Sequence, residues 1–146
     1  MSANDALLKF AMLGNARAMP RSAVPELSAD EFGRAISEAV RSSGLRVVAY
    51  FGMPGPAPDA VSLLVVLADD RHAQLFVART QIRGAGFAAL TAECPQVHLF
   101  EREIGEQFGL TAVGHPWFKP VRYHRSHRPG HEAFGEGRFD SPFDRP

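Results

Sequence analysis

The chain has 146 residues, 45% of them hydrophobic, which suits one folded domain with extensions. Sixteen basic and sixteen acidic residues leave a formal charge of +0, so no net charge draws the chain to nucleic acid or to an anionic membrane. Its one cysteine, Cys94, excludes an intrachain disulfide and a four-thiolate iron–sulfur cluster, so electron transfer would need cofactors held by a partner.

The N-terminus, MSANDALLKFAMLG, lacks secretory character because Asp5 precedes the apolar run and Lys9 interrupts it. No stretch reaches the roughly 20 apolar residues of a membrane span. Ala6 to Leu13 reads as a short amphipathic helical turn ended by Gly14-Asn15, and residues 16–26, with Pro20 and Pro25, read as a linker.

A helix is expected from about 29 to 43. Ser28 and Glu31 have capping-box spacing, with Leu27 and Phe32 as a hydrophobic staple. Phe32, Ile36, Ala39 and Val40 recur at helical spacing, and Gly44 is placed to stop the helix.

Three strands follow. LRVVAYF (45–51) leads into GMPGPAPD, whose prolines argue against regular pairing. VSLLVVLA (61–68) is apolar enough for a central strand, Asp69-Asp70 makes a turn, and HAQLFVA (72–78) suits an antiparallel partner. FAALTAE (87–93) reads as a short helix.

Pro95 fits the first turn of a second main helix that aligns Val97, Phe100, Ile104 and Phe108 on one side and ends at Gly109 with Leu110 folding back. Gly105 weakens its interior by roughly 1 kcal/mol relative to alanine. The expected fold is α+β, with helices packed on a three- to four-stranded antiparallel or mixed sheet. Residues 1–27 form an extension and linker, 28–118 the domain, and 119–146 an extended tail poor in aliphatic side chains, either disordered or laid along another protein.

Glu101, Glu103 and Glu106 suggest acid–base chemistry, but without a pocket nearby they read as a solvated or interface face, with Arg102 able to pair with Glu106. His115, His124, His127 and His131 suggest zinc, but their spacing does not describe four fixed ligands. Cys94, beside Pro95 and four residues from His98, reads as a small buried side chain rather than a nucleophile. Lys119, Arg122, Arg125 and Arg128 recur every third residue; in a polyproline II segment these four cations would share one edge, ready for an acidic groove of a partner.

Glu101-Arg102-Glu103, Glu106, Phe108-Gly109-Leu110 and Gly114-His115-Pro116 together resemble the signature of the 30 kDa subunit of respiratory complex I, the NADH-quinone oxidoreductase. The same module is also found with membrane-bound [NiFe] hydrogenases and formate hydrogenlyases. The resemblance runs from about residue 28 to 122. It implies a non-catalytic hydrophilic-arm subunit that binds no cofactor and docks on the large catalytic subunit and its neighbours. Iron–sulfur clusters, and in hydrogenases Ni-Fe, would lie in those partners. It implies a place on the cytoplasmic face of a membrane, reached through the complex, and no nucleic-acid partner. Carried over by position, the docking corner would comprise Glu101, Arg102, Glu103, Glu106, Phe108, Gly109, His115, Pro116, Trp117 and Lys119, with the tail from Arg122 through Arg125 and Arg128 wrapping the neighbour. The alternatives are a small His/Glu metal-dependent enzyme and a free-standing protein-binding module.

Overall fold

The structure is a computed structural model that describes residues 3–121 and 126–131. The elements in chain order are α1 (Ala3–Leu7), β1 (Ala11–Gly14), β2 (Glu26–Leu27), α2 (Ala29–Ser43), β3 (Arg46–Pro54), β4 (Ala60–Asp69), β5 (Gln74–Arg83), β6 (Gly86–Ala88), α3 (His98–Phe108) and β7 (Thr111–Val113). The α+β class is as expected, but the main sheet has five strands. Its order is β1-β5-β4-β3, and β2 adds in parallel to the same side of β5 as the antiparallel β1.

α2 forms as its sequence dictates. The Ser28 hydroxyl accepts from the Glu31 backbone N–H, and the Glu31 carboxylate reaches back to the Ser28 N–H. Gly44 ends the helix in a left-handed conformation, φ 66°. Phe32, Ala35, Ile36 and Ala39 form its buried stripe at helical spacing. They meet the β4 face formed by Val61, Leu63, Val65 and Leu67 and, on β3, Tyr50. β4 lies between β3 and β5 and is buried along nearly all its length, as its apolar run requires.

Several expectations change. The helix at the N-terminus stops at Leu7, and Ala11–Gly14 is an edge strand paired with Val77 to Gln74 of β5. The apolar residues there satisfy a strand edge, which an isolated helical turn could not stabilise. Residues 16–26 are more than a linker. Val24 and Met19 cover the second face of the sheet against Leu64, Val77 and Val66. β3 continues through Gly52 and Met53 to Pro54, which faces Val61. A proline is tolerated there because β3 is an outer strand. A register shift between Val47 and Ala49 interrupts its pairing, and the Val47 N–H donates to the Gln96 side chain instead (2.8 Å).

The expected helix at 87–93 is absent. Gly86–Ala88 is a strand that pairs in parallel with Thr111–Val113. A Cβ on Gly86 would lie 2.5 Å from the Thr111 carbonyl oxygen, so this approach depends on glycine. Pro95 opens a short 3-10 turn, Pro95–Val97, that leads into α3. α3 packs on β3, where the Phe108 ring sits against Gly52.

A methyl group on Gly52 would stand 2.5 Å from that ring. Gly52→Ala is therefore expected to cost about 1–3 kcal/mol in urea denaturation. Combined with Phe108→Leu, the loss should be smaller than the sum of the two single losses, which marks a direct contact.

Candidate functional site

The corner formed by α3 and residues 109–121 holds most of the residues singled out by sequence, but it points several of them inward. Glu101, expected on a solvated or interface face, is fully buried. Its carboxylate accepts from the Leu90 N–H (2.6 Å), the Thr91 N–H (3.3 Å) and the Thr91 hydroxyl (2.6 Å). A carboxylate removed from water is tolerable only with such compensation. Thr91 and Leu90 lie ten and eleven residues away, so no helical spacing announces the contact.

His115 is buried beside it, its Nε2 4.0 Å from Glu101. That approach is not an ion pair while Nδ1 of His115 accepts the Trp117 N–H (3.0 Å), because an accepting nitrogen carries no proton. The ring is then the neutral tautomer whose Nε2–H donates to the His98 carbonyl (3.2 Å). With both nitrogens engaged inside the chain, His115 is not presented as a metal ligand. His127 stacks on Phe108 at 5.4 Å, and His131 lies over Gly109. His124 lies outside the described residues, and among the described residues no three His, Cys, Asp or Glu side chains are grouped to hold a metal.

Arg102 is also buried and binds the chain itself. Its Nε donates to the Lys119 carbonyl (2.5 Å), and one terminal nitrogen donates to the Pro120 carbonyl (3.1 Å). The guanidinium carbon lies 5.0 Å from the centre of the Trp117 ring, and Lys119 Nζ lies 5.5 Å from the same ring. His98 stacks between His115 (5.1 Å) and Trp117 (6.3 Å). The Glu106 carboxylate accepts from the Val121 N–H. Glu103 is half-buried on the same helix.

Glycine at 105 has a reason in packing. A Cβ there would run into the Phe118 ring and stand 2.9 Å from the Leu110 carbonyl oxygen, so the cost to helix propensity is accepted for close approach. Gly109 ends α3 at φ 62°, and its N–H donates to the Gly105 carbonyl. The Gln107 carbonyl, left open by the end of the helix, accepts from the Ser126 hydroxyl and the Arg128 N–H. The tail, expected to be disordered or laid on another protein, thus returns at 126–131 to its own helix. Arg122 and Arg125 lie outside the described residues, so the proposed strip of cations is represented by Lys119 and Arg128.

With Glu101, Arg102 and His115 directed inward, several apolar side chains of the corner are left exposed. Leu99 (56% exposed), Val113 (64%) and Trp117 (55%) stand out, with Phe118 and Val121 beside them. Leu99 is not among the sequence candidates, although an apolar residue off the Val97–Phe108 stripe is the available signal. Pro116 is exposed next to Trp117. Among the described residues no helix is long and apolar enough to cross a membrane.

Beneath the corner, burial pushes the Tyr50 phenol well above its ordinary range, and the Glu101 carboxylate adds to the effect. Burial likewise raises the Cys94 thiol, in keeping with a small buried side chain.

Glu101→Gln keeps the volume but turns one acceptor into a donor facing donors. It is expected to cost about 1–3 kcal/mol in chemical denaturation, and Glu101→Ala more. Alkaline pH should also destabilise the chain. The folded state holds the Tyr50 and Cys94 protons where the unfolded chain has released them, so stability falls as pH rises. The fall should begin near the ordinary cysteine value of about 8.5 and steepen above the tyrosine value of about 10. Tyr50→Phe should flatten the steeper part of a denaturation series against pH.

The chain matches no protein-family model, and a search of curated proteins finds no significant match.

Proposed function

We propose that this chain is a non-catalytic subunit of a complex I-like membrane-associated oxidoreductase, docking on the large catalytic subunit through the α3 corner. In this reading it binds no redox cofactor. Iron–sulfur clusters, and Ni-Fe in a hydrogenase, belong to its partners, and it reaches the cytoplasmic face of the membrane through the complex. The resemblance of the Glu101–Pro116 segment to the complex I 30 kDa subunit supports the assembly.

One observation carries the docking surface. Glu101, Arg102, Glu106 and His115 are bonded within the chain, while Leu99, Val113 and Trp117 remain more than half exposed. Exposed apolar side chains on an internally bonded corner suit a protein–protein contact. Trp117, flanked by the Arg102 and Lys119 cations, is the natural anchor.

Co-expression with the large catalytic subunit of a complex I-type or [NiFe] hydrogenase assembly from the same organism tests the proposal. A stoichiometric complex should copurify. Leu99→Asp and Val113→Asp should each weaken it at least tenfold in a binding titration while leaving the thermal unfolding of the isolated chain nearly unchanged. Deleting 119–146 is a poorer probe, because it also removes the carbonyls that Arg102 binds. A chain that stays monomeric beside the large subunit would reject the reading.

A further inference from the structure

A cleft of about 280 Å³ opens between the first turns of α2, the sheet and the segment 87–90. That volume is just below the usual range of drug-sized sites and suits a single small ring. Its walls include Phe32, Tyr50, Leu63, Ile82, Phe87 and Leu90. Phe32 and Tyr50 are in ring contact, with centroids 6.0 Å apart.

Three hydroxyl-bearing residues line this space, Tyr50, Thr80 and Ser37, and the two aliphatic ones differ. Thr80 donates to the Leu27 carbonyl at 2.9 Å, so its proton is committed. Ser37 is 6% exposed, and its hydroxyl has no hydrogen-bond partner among the described residues. A serine in a helix ordinarily turns to solvent or to a carbonyl one turn back. Leaving a buried hydroxyl unpaired is destabilising, so a hydroxyl kept on the wall of an apolar cleft suits a partner brought from outside. The charged residues that line the cleft, Asp30, Arg34 and Glu93, lie on its solvent side. A charged ligand would lose its hydration without a counter-ion deep in the site.

We propose that this cleft is a binding site for a small neutral aromatic molecule carrying one hydroxyl or N–H group, its ring among Phe32, Tyr50 and Phe87 and its polar group on the Ser37 hydroxyl. Serine can both donate and accept, so it can serve either group. The site is distinct in purpose from the α3 surface and does not depend on docking there.

Phenol and toluene serve as matched probes, titrated into the full chain and followed by amide NMR shifts. Phenol should give saturable shifts concentrated at Phe32, Gly33, Ser37 and Phe87, and should bind more tightly than toluene. Ser37→Ala should weaken phenol about tenfold and leave toluene within about twofold, since it removes one hydrogen bond and little volume. The same variant should keep or raise the melting temperature of the unliganded chain, because it removes an unpaired buried group. Ser37→Leu should fill the cleft and abolish both probes; the comparison of wild type with Ser37→Ala decides the matter even if this larger change impairs folding. No saturable shift for either probe would overturn the site. So would an unchanged phenol-to-toluene ratio, or a lowered melting temperature, in Ser37→Ala.

Discussion

A carboxylate without exposed surface must recover from the protein the hydrogen bonds it gave up in water, and the way Glu101 does so organises much of this molecule. Its two oxygens take the Leu90 and Thr91 amides and the Thr91 hydroxyl, joining α3 to the turn that follows β6. That turn is otherwise irregular, and its amides would be left without sheet partners. The helix supplies acceptors where the backbone has none, so the polar requirement of the turn and that of the carboxylate are met together. Breaking one side leaves the other unsatisfied, and this makes the arrangement demanding of both residue identity and position.

Arg102, the next residue, applies the same logic with opposite polarity. Pro116 and Pro120 lack amide donors and cannot join a regular ladder, so the carbonyls of the segment they bracket need donors from elsewhere. A guanidinium offers five N–H groups in a fixed fork, and two of its nitrogens reach the Lys119 and Pro120 carbonyls. Glu106 completes the set by accepting the Val121 amide. Three side chains of one helix thus bind peptide groups on either side of it: a carboxylate to a turn, a guanidinium to two carbonyls, a second carboxylate to an amide. Glu101, Arg102 and Glu106, which resemble a contact surface in sequence, instead make their bonds within the chain.

What can be read from sequence is governed by distance along the chain. The Ser28–Glu31 box, the left-handed Gly44 and Gly109, and the apolar run of β4 are local signals, and local physics decides them. β1 and β2 have four and two residues and exist because β5 offers an open edge; their own composition does not specify a strand. Phe87–Glu93 resembles a helix for a related reason, since the Gly86–Ala88 pairing depends on Thr111–Val113 across an intervening helix. Glu101 looks solvated because acids on helices usually are. Gly105 looks like a weakness in a helix, and the Phe118 ring that needs the space is thirteen positions further on. The site residues are therefore legible as a cluster, and their inward or outward direction is not.

The inward bonding also bears on how the corner and the cleft relate. Leu90 is a wall of the cleft, and its amide is held by Glu101 at the base of the corner. Tyr50 lines the same cleft and lies within the electrostatic reach of the same carboxylate. The two surfaces consequently share a support rather than a moving part. A connection of this kind transmits a signal only when the shared element has two arrangements that each site favours differently. The 90–91 turn has three hydrogen bonds to one buried group, which selects a single arrangement, so occupancy of the cleft should leave the corner's geometry in place. The shared carboxylate instead makes both surfaces vulnerable to the same lesion: whatever displaces Glu101 moves the Leu90 wall and loosens the helix that carries Leu99 and Arg102.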